Sequence, residues 1–345
     1  MVEADLLRLH WRPFRFSLPR ELVTAHGALR EKAGWLLKLE APDGRLGWGE
    51  AASLDWRAEA AGGSAVVGVS DPIPAAVACL GAAASRETLE RRLSLLPPPL
   101  AFALGLALAE LDGLGAGDGG WLPAPMSAQL LPAGEAMRAA LERILRGRDA
   151  EAPVPRSAIT FKWKVAAGED RSERELLDWL IDQLPQDARL RLDANGGWDR
   201  TTAAAWASRL EHENRLDWLE QPLEPADREG LLQLAERLPV ALDESVRAGR
   251  LPAGWPGWQV RRPAVEGDPR PLLAALVRGV PRLMVSTALE TGIGWRLVAH
   301  LAALQQLGPT PTAPGLAPGW RPRGGLFAAD PLEVWRSALE AGDAA

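Results

Sequence analysis

The sequence predicts an α/β protein in which a TIM-type (β/α) barrel follows a smaller N-terminal α+β domain. Three observations carry this prediction. Short alternating apolar and polar runs separated by turns fill about the first 60 residues; helical patterning then takes over, up to a glycine cluster at 113–120; beyond residue 125, strand-like and helical runs alternate.

In the first segment, runs at 35–39 and 46–48 flank the turn Pro42-Asp43-Gly44, as in an antiparallel meander. From 73 to 114, Ala- and Leu-rich helical runs break at Pro97, Pro98 and Pro99 and stop at the glycines. The cluster follows a helix, and Asp118 stands where a dinucleotide-binding turn needs its third glycine, so it reads as a linker. Past it, strands are expected at 126–131, 158–165, 189–195, 216–223, 240–245, 258–262 and 282–289. Helices are expected at 134–146, 173–184, 201–211, 227–237, 270–277 and 294–306. This repetition predicts parallel strands, and seven or eight such units close more naturally into a barrel than into an open sheet. The crossover at 246–257 is short and rich in Pro and Gly, and the eighth strand near 312–316 is weak, so irregularity is expected there. The domains are placed at 1–120, with 325–345 packing back on it, and at 121–324.

Composition narrows the chemistry. The 345 residues are 47% hydrophobic with a formal net charge of -6, which excludes a disordered chain. The 39 basic and 45 acidic residues form no long run of one sign. Nucleic-acid and polybasic membrane partners are therefore not expected, whereas small anionic substrates are. Uncharged stretches at 93–109 and 297–320 are interrupted by prolines and do not read as membrane spans. Glu3 and Asp5 stand where a secretory signal carries positive charge, and Cys79 is the single cysteine. A cytoplasmic protein without disulfides or cysteine-bound metal is expected. The four histidines, 10, 26, 212 and 300, are scattered, against histidine catalysis. Only four lysines occur, Lys32, Lys38, Lys162 and Lys164, and two of them are two positions apart. Arginine stays protonated, whereas a buried lysine can serve as a base, so this retention points to chemistry.

Barrel function sits at the C-terminal strand ends. The second strand ends in Phe161-Lys162-Trp163-Lys164-Val165, where alternation puts both lysines on one face and Trp163 on the other. If they face the interior, like charge and burial are expected to lower the pKa of at least one and prepare it as a general base. The next three strands end in Arg191-Leu192-Asp193-Ala194-Asn195, Trp218-Leu219-Glu220-Gln221-Pro222 and Ala241-Leu242-Asp243-Glu244-Ser245. From 193 to 220 is 27 positions and from 220 to 243 is 23, about one βα unit each, so the three carboxylates can converge. Gathered carboxylates repel unless a cation sits between them, and all-oxygen ligation suits Mg²⁺, with Mn²⁺ as the alternative ion. A lysine base facing such an ion suits abstraction of the proton beside a carboxylate, because the metal offsets the charge of the resulting enediolate. The expected partner is a small-molecule carboxylate substrate.

These motifs, with Gly47-Trp48-Gly49-Glu50-Ala51 near the N-terminus, give nearly the whole chain a resemblance to the enolase superfamily. Within its muconate-lactonizing-enzyme-like branch, the chain resembles the o-succinylbenzoate synthase family. The resemblance implies a modified (β/α)7β barrel whose mouth is closed by an N-terminal α+β capping domain. It implies Asp193, Glu220 and Asp243 as Mg²⁺ ligands, Lys164 as general acid and base, and Lys162 as the neighbour that tunes and orients it. Arg191 and Asn195 match supporting and substrate-side positions. The implied reaction is the Mg²⁺-dependent syn-dehydration of 2-succinyl-6-hydroxy-2,4-cyclohexadiene-1-carboxylate to 2-succinylbenzoate and water, in menaquinone or phylloquinone synthesis. Racemases, epimerases and cycloisomerases of the branch share the motifs.

The sixth strand departs from the pattern. Where the family usually has a lysine before a proline, this chain reads Gln259-Val260-Arg261-Arg262-Pro263. An N-acylamino-acid racemase or dipeptide epimerase needs a base on each face of the substrate, and arginine, with a pKa above about 12, is a poor proton acceptor. A syn-dehydration needs only Lys164, which returns its proton to the departing hydroxyl, and Arg262 then acts through its charge. A non-catalytic binding protein on the same barrel is the other alternative; the three acids and both lysines speak against it. On the seventh strand, Ser286-Thr287-Ala288-Leu289-Glu290-Thr291-Gly292 resembles the family's small-hydroxyl run. Ser286, Thr287 and the amides leading into the helix at Gly294 are expected to receive the succinyl carboxylate, the alternative being that the hydroxyls merely finish a buried strand. Residues 24–27 and 53–56 are candidates for the lid.

Overall fold

The computed structural model describes residues 6–24, 27–53, 72–116, 120–150 and 158–342, which form one antiparallel and one parallel sheet. Strands β1 (Leu6–Thr24), β2 (Gly27–Glu40) and β3 (Leu46–Ala51) make the expected meander, and β4 (Ala83–Ser85) adds to the outer edge of β1. Gly44, at φ +85°, turns the chain between β2 and β3. Helices α1 (Pro72–Leu80) and α2 (Arg86–Arg92) precede α3 (Pro98–Leu111), which is buried on nearly every side and therefore Ala- and Leu-rich all round. Pro98 and Pro99 open α3 rather than break it, since the first turn has no use for their missing N–H groups. Glycines 47 and 49 let α3 lie against β3: a Cβ at either would stand 2.0 or 2.1 Å from a carbonyl oxygen of Ala107 or Ala103. Half of the Gly-Trp-Gly-Glu motif is thus explained by backbone contact.

The parallel sheet has seven strands in sequence order: β5 (Gln129–Leu131), β6 (Thr160–Lys164), β7 (Arg189–Asp193), β8 (Leu216–Glu220), β9 (Val240–Leu242), β10 (Trp258–Arg261) and β11 (Leu283–Val285). Between them run α4 (Ala136–Ala150), α5 (Asp170–Gln183), α6 (Arg200–Leu210), α7 (Arg228–Ala235), α8 (Glu244–Arg247), α9 (Pro263–Glu266) and α10 (Arg270–Val277); α11 (Gly292–Leu307) follows β11. The fifth crossover is the short α8 and a loop, as its Pro/Gly content predicts. The weak eighth strand reduces to a bridge between Gly315 and Ser286, and Ala128 N donates to Pro314 O at 3.0 Å to close the barrel. Strands are shorter than the patterning predicts. The chain stays buried past their ends, but Asn195 (φ 49°), Gln221 (φ 37°) and Leu289 (φ 65°) turn it left-handed.

The barrel interior is filled below its mouth by Trp218, Ala241, Val260 and Met284. Trp163 points outward into the core between strands and helices, as alternation requires. Near the C-terminus, α12 (Pro331–Gly342) sets Val334, Trp335 and Ala338 against Phe14, Phe16 and Trp48, and Arg12 donates to Trp335 O at 2.8 Å. No helix among the described residues is long and apolar enough to cross a membrane.

Candidate active site

Strand pairing fixes the level at which each side chain emerges. Lys164 pairs with Asp193, Asp193 with Glu220 and Glu220 with Ala241, so Asp243, two residues on, lies on the same face. All three acids are at most 1% exposed. Lys162 Nζ lies 2.8 Å from Asp193 Oδ2 and donates to Glu220 Oε1 at 2.7 Å. Lys164 Nζ donates to Asp193 Oδ2 at 2.5 Å and to Asn195 Oδ1 at 2.9 Å. The Asn195 amide in turn donates to Glu244 Oε1 at 3.1 Å. Gln221 ties adjacent strand ends together, accepting from the amides of Asp243 and Ser245 and donating to Leu223 O and Ser245 Oγ.

The expected lowering of a lysine pKa is not what this geometry gives Lys162. Burial pushes Lys162 down, but Asp193 and Glu220 outweigh it and hold the ammonium above its ordinary value, an arrangement the like-charge argument left out. Asp193 shows the counterpart: burial would raise it, and the two lysines hold it far below the carboxylate range. Burial, followed by repulsion from Asp193, raises Glu220. Asp243 is lowered: burial opposes ionisation, but Arg262 and Arg247 prevail.

Arg262 closes the opposite side. Its Nε donates to Asp243 Oδ2 at 2.7 Å and its Nη1 to Thr287 O at 2.5 Å. Buried though it is, Asp243 and Glu220 raise its pKa above the ordinary arginine value, so it stays charged. Lys162, Lys164, Asn195, Asp243, Arg262, Ser286 and Thr287 line one cavity at the mouth, about 650 Å³ including its opening. Asp193 and Glu220, bonded to those lysines, are not among its lining residues. Arg191 is one level lower and fully buried. It stacks on Trp218 at 3.9 Å and donates to Asp217, Thr312 Oγ1 and Ala313 O, bracing the barrel seam rather than lining the cavity.

The strand-seven hydroxyls have partners within the protein. Ser286 Oγ donates to Gly315 O at 3.1 Å and Thr287 Oγ1 to Glu290 Oε2 at 2.5 Å, so both hydroxyl protons are spent within the protein. The first turn of α11 does hold a carboxylate, but it is Glu50 of β3. Its Oε2 accepts from Thr291 N at 2.9 Å, Thr291 Oγ1 at 2.6 Å and Gly294 N at 3.2 Å. Lys32 of β2, 4.0 Å from Glu50 Oε1, donates to the carbonyls of Ala288 and Leu289 at 2.5 and 3.2 Å. Two side chains from the first sheet thus clasp the loop that forms one cavity wall. The rarity of lysine and the Gly-Trp-Gly-Glu motif flagged these residues without revealing their partners. Glu244 and Arg247, which also line the cavity, were not assigned roles; Arg247 bonds both Asp243 and Glu244 at 3.1 Å. Of the lid candidates, residues 25–26 and 54–56 lie outside the described residues.

Among the described residues no three acids close on one point as a preformed metal cage. Asp193 and Glu220 converge on Lys162, while Asp243 turns to Arg262 and Arg247. The donor chemistry nevertheless fits a hard divalent cation: carboxylates only, from successive strand ends, with Glu244 Oε2 buried beside them without a hydrogen-bond partner.

A family model described as Enolase C-terminal domain-like matches residues 147–249. An o-succinylbenzoate synthase of Thermosynechococcus vestitus is 34% identical over 86% of this chain and 88% of its own. One from Yersinia enterocolitica is 28% identical over 88% of each. The solved o-succinylbenzoate synthase of Thermosynechococcus elongatus, with Mg in its active site, has a TM-score of 0.73 at 30% identity, covering 96% of this chain and 99% of that one. The L-Ala-D/L-Glu epimerase of Bacillus subtilis, with a TM-score of 0.68 at 20% identity over 93% and 92%, shares the fold. Motifs, barrel, cap and relatives agree: the chain belongs to the o-succinylbenzoate synthase family of the enolase superfamily.

Proposed function

We propose that this chain is a hydro-lyase that converts 2-succinyl-6-hydroxy-2,4-cyclohexadiene-1-carboxylate to 2-succinylbenzoate and water, within menaquinone or phylloquinone synthesis. The observation that carries the reading is the asymmetry of the cavity. Amines stand on one face only, and the other face carries Arg262, fixed to Asp243 and Thr287 O. One base serves a dehydration, whereas a 1,1-proton transfer needs two.

Lys164 spends two directions on Asp193 and Asn195, which leaves one for substrate. As the amine, it takes the proton from the ring carbon that bears the carboxylate, and the C–H electron pair moves onto that carboxylate, to return into the ring as the hydroxyl leaves. It then returns that proton to the hydroxyl on the same face; the C–O bond breaks, water departs and the ring becomes aromatic. Lys162 neutralises Asp193 and Glu220 below, and Arg262 places positive charge on the far face. Asp193, Glu220 and Asp243 are the residues that would hold Mg²⁺, whose charge offsets that developing on the substrate carboxylate.

The test follows the loss of the diene's ultraviolet absorbance with purified protein and Mg²⁺, then with excess EDTA. Rapid, EDTA-sensitive formation of 2-succinylbenzoate is the expected result. No loss by folded, metal-bound protein overturns the assignment.

A further inference from the structure

The substrate of the proposed reaction carries two carboxylates, and the main cavity accounts for one. Its cations are already matched: Lys162 and Lys164 with Asp193 and Glu220, Arg262 with Asp243, Arg247 with Asp243 and Glu244. The hydroxyls of Ser286 and Thr287 donate elsewhere, and the first turn of α11 holds Glu50. A distal carboxylate placed in this cavity would compete with these acids for cations that already have carboxylate partners.

An adjoining cavity supplies donors. It measures about 450 Å³ including its opening and shares Leu130 and Ala317 with the first. Arg20 of β1 and Arg143 of α4 line it, and no acidic residue does. The Arg20 guanidinium lies over Trp320, 3.6 Å from the ring centroid. Gly319 makes room for it, because a Cβ there would stand 2.5 Å from Arg20 Nη2. Stacking therefore fixes the group while leaving its N–H edges unused. Among the described residues neither Arg20 nor Arg143 has an ion-pair or hydrogen-bond partner. Both side chains are exposed, and partial burial, followed by the charge of Arg143, lowers the Arg20 pKa from its ordinary value. Trp320 Nε1 is a further buried donor without an acceptor. One stacked guanidinium with a second beside it, and no acid in the lining, next to an apolar wall shared with the catalytic cavity, suit a carboxylate carried on a short chain.

We propose that Arg20 and Arg143 form the subsite for the distal carboxylate of a dicarboxylate substrate, reached past Leu130 and Ala317. The proposal rests on the dehydratase reading and extends it to specificity.

The test compares calorimetric binding, with Mg²⁺ present, of 2-succinylbenzoate and of 2-butanoylbenzoate, which has a methyl group in place of the distal carboxylate. Wild-type protein is expected to prefer the dicarboxylate by roughly ten- to hundredfold, the range for a charge-assisted hydrogen bond. Arg20→Met and Arg143→Met, which keep the apolar stems, lose most of that preference and raise KM for the diene by a similar factor. Arg146→Met, further along α4 and paired with Glu142, keeps it. Variants that retain the full preference, or that weaken both ligands equally, overturn the subsite while wild-type turnover preserves the dehydratase reading. Wild-type protein that does not turn over the diene overturns both.

Discussion

The clasp between the first sheet and the α11 loop gives the sharpest stability prediction. Glu50→Ala removes the acceptor of three donors, Thr291 N, Thr291 Oγ1 and Gly294 N, and leaves Lys32, 4% exposed, without its carboxylate. Breaking a buried ion pair from one side costs about 3–5 kcal/mol, and each stranded buried donor about 1–3 kcal/mol. These terms overlap because the groups share one site, so the expected total is about 4–6 kcal/mol. That is a large part of the roughly 5–15 kcal/mol that holds a domain together. Glu50→Gln keeps an oxygen for Thr291 but not the charge opposite Lys32, and should cost about 2–3 kcal/mol. Urea unfolding followed by tryptophan fluorescence measures both. Because Lys32 holds the carbonyls of Ala288 and Leu289 in the cavity wall, Glu50→Gln should also raise KM. A Glu50→Ala protein within about 1 kcal/mol of wild type, with unchanged KM, would refute the reasoning, since an ordinary surface substitution does as little.

Lys164→Met should lower kcat by about 10²–10⁴ with the circular dichroism spectrum unchanged; a loss under tenfold would remove Lys164 as the base. Arg262→Lys can reach Asp243 or Thr287 O but not span both, so kcat/KM should fall by about tenfold. Equal kinetics would show that only the charge matters. Glu110, buried, is pushed up to about 7 although Arg296 lies 2.7 Å away. Its folded pKa lies above the ordinary 4.5, so the folded chain holds the proton more tightly. This contribution is fully present below about pH 4.5 and is lost as pH rises through 7, about 3 kcal/mol in all. Wild-type stability should fall between pH 5 and 8, and Glu110→Gln should remove about 3 kcal/mol of that fall, Glu244, also pushed up to about 7, keeping its own share; parallel curves for the two proteins would count against it.

The parts of the site that are legible in sequence are those a single strand dictates. Alternation sets Lys162 and Lys164 inward with Trp163 outward, and one βα unit of spacing brings Asp193 and Glu220 to one level. Depth is not legible in the same way. Arg191 has the parity of Asp193, yet two residues toward the strand start lower it to the Trp218 layer, where it meets the barrel seam. Contacts across the chain are less legible still. Thr291 and the glycines at 292 and 294 announce a helix start that wants an anion, but the carboxylate it receives is 241 positions from Thr291, on another sheet. For Lys162 the pKa argument fails for a related reason: it weighed the two ammonium groups against each other without Asp193 and Glu220 on the next strands.

The backbone at the barrel mouth shows why these neighbours matter. Ala166, Asn195, Gln221, Leu289 and Ala317 are all left-handed without being glycine, and each follows a strand or the closing bridge. Such residues cost of order 1 kcal/mol apiece and persist only where surrounding contacts over-determine them. At Asn195 the determinants are Asp193, Lys164 and Glu244; at Gln221 they are the side-chain bonds to Leu223, Asp243 and Ser245. At Leu289, Thr287 accepts from the amide while Lys32 holds the carbonyl. The groups that fix these three turns are therefore acids, lysines, hydroxyls and amides of neighbouring strand ends and, at Leu289, of the first sheet. Substituting Gln221 by an apolar residue would strand the amides of Asp243 and Ser245 and free the turn after β8 together. Chemistry and local backbone geometry at this mouth are one network, which is why its charged side chains can be held in place while nearly all are buried.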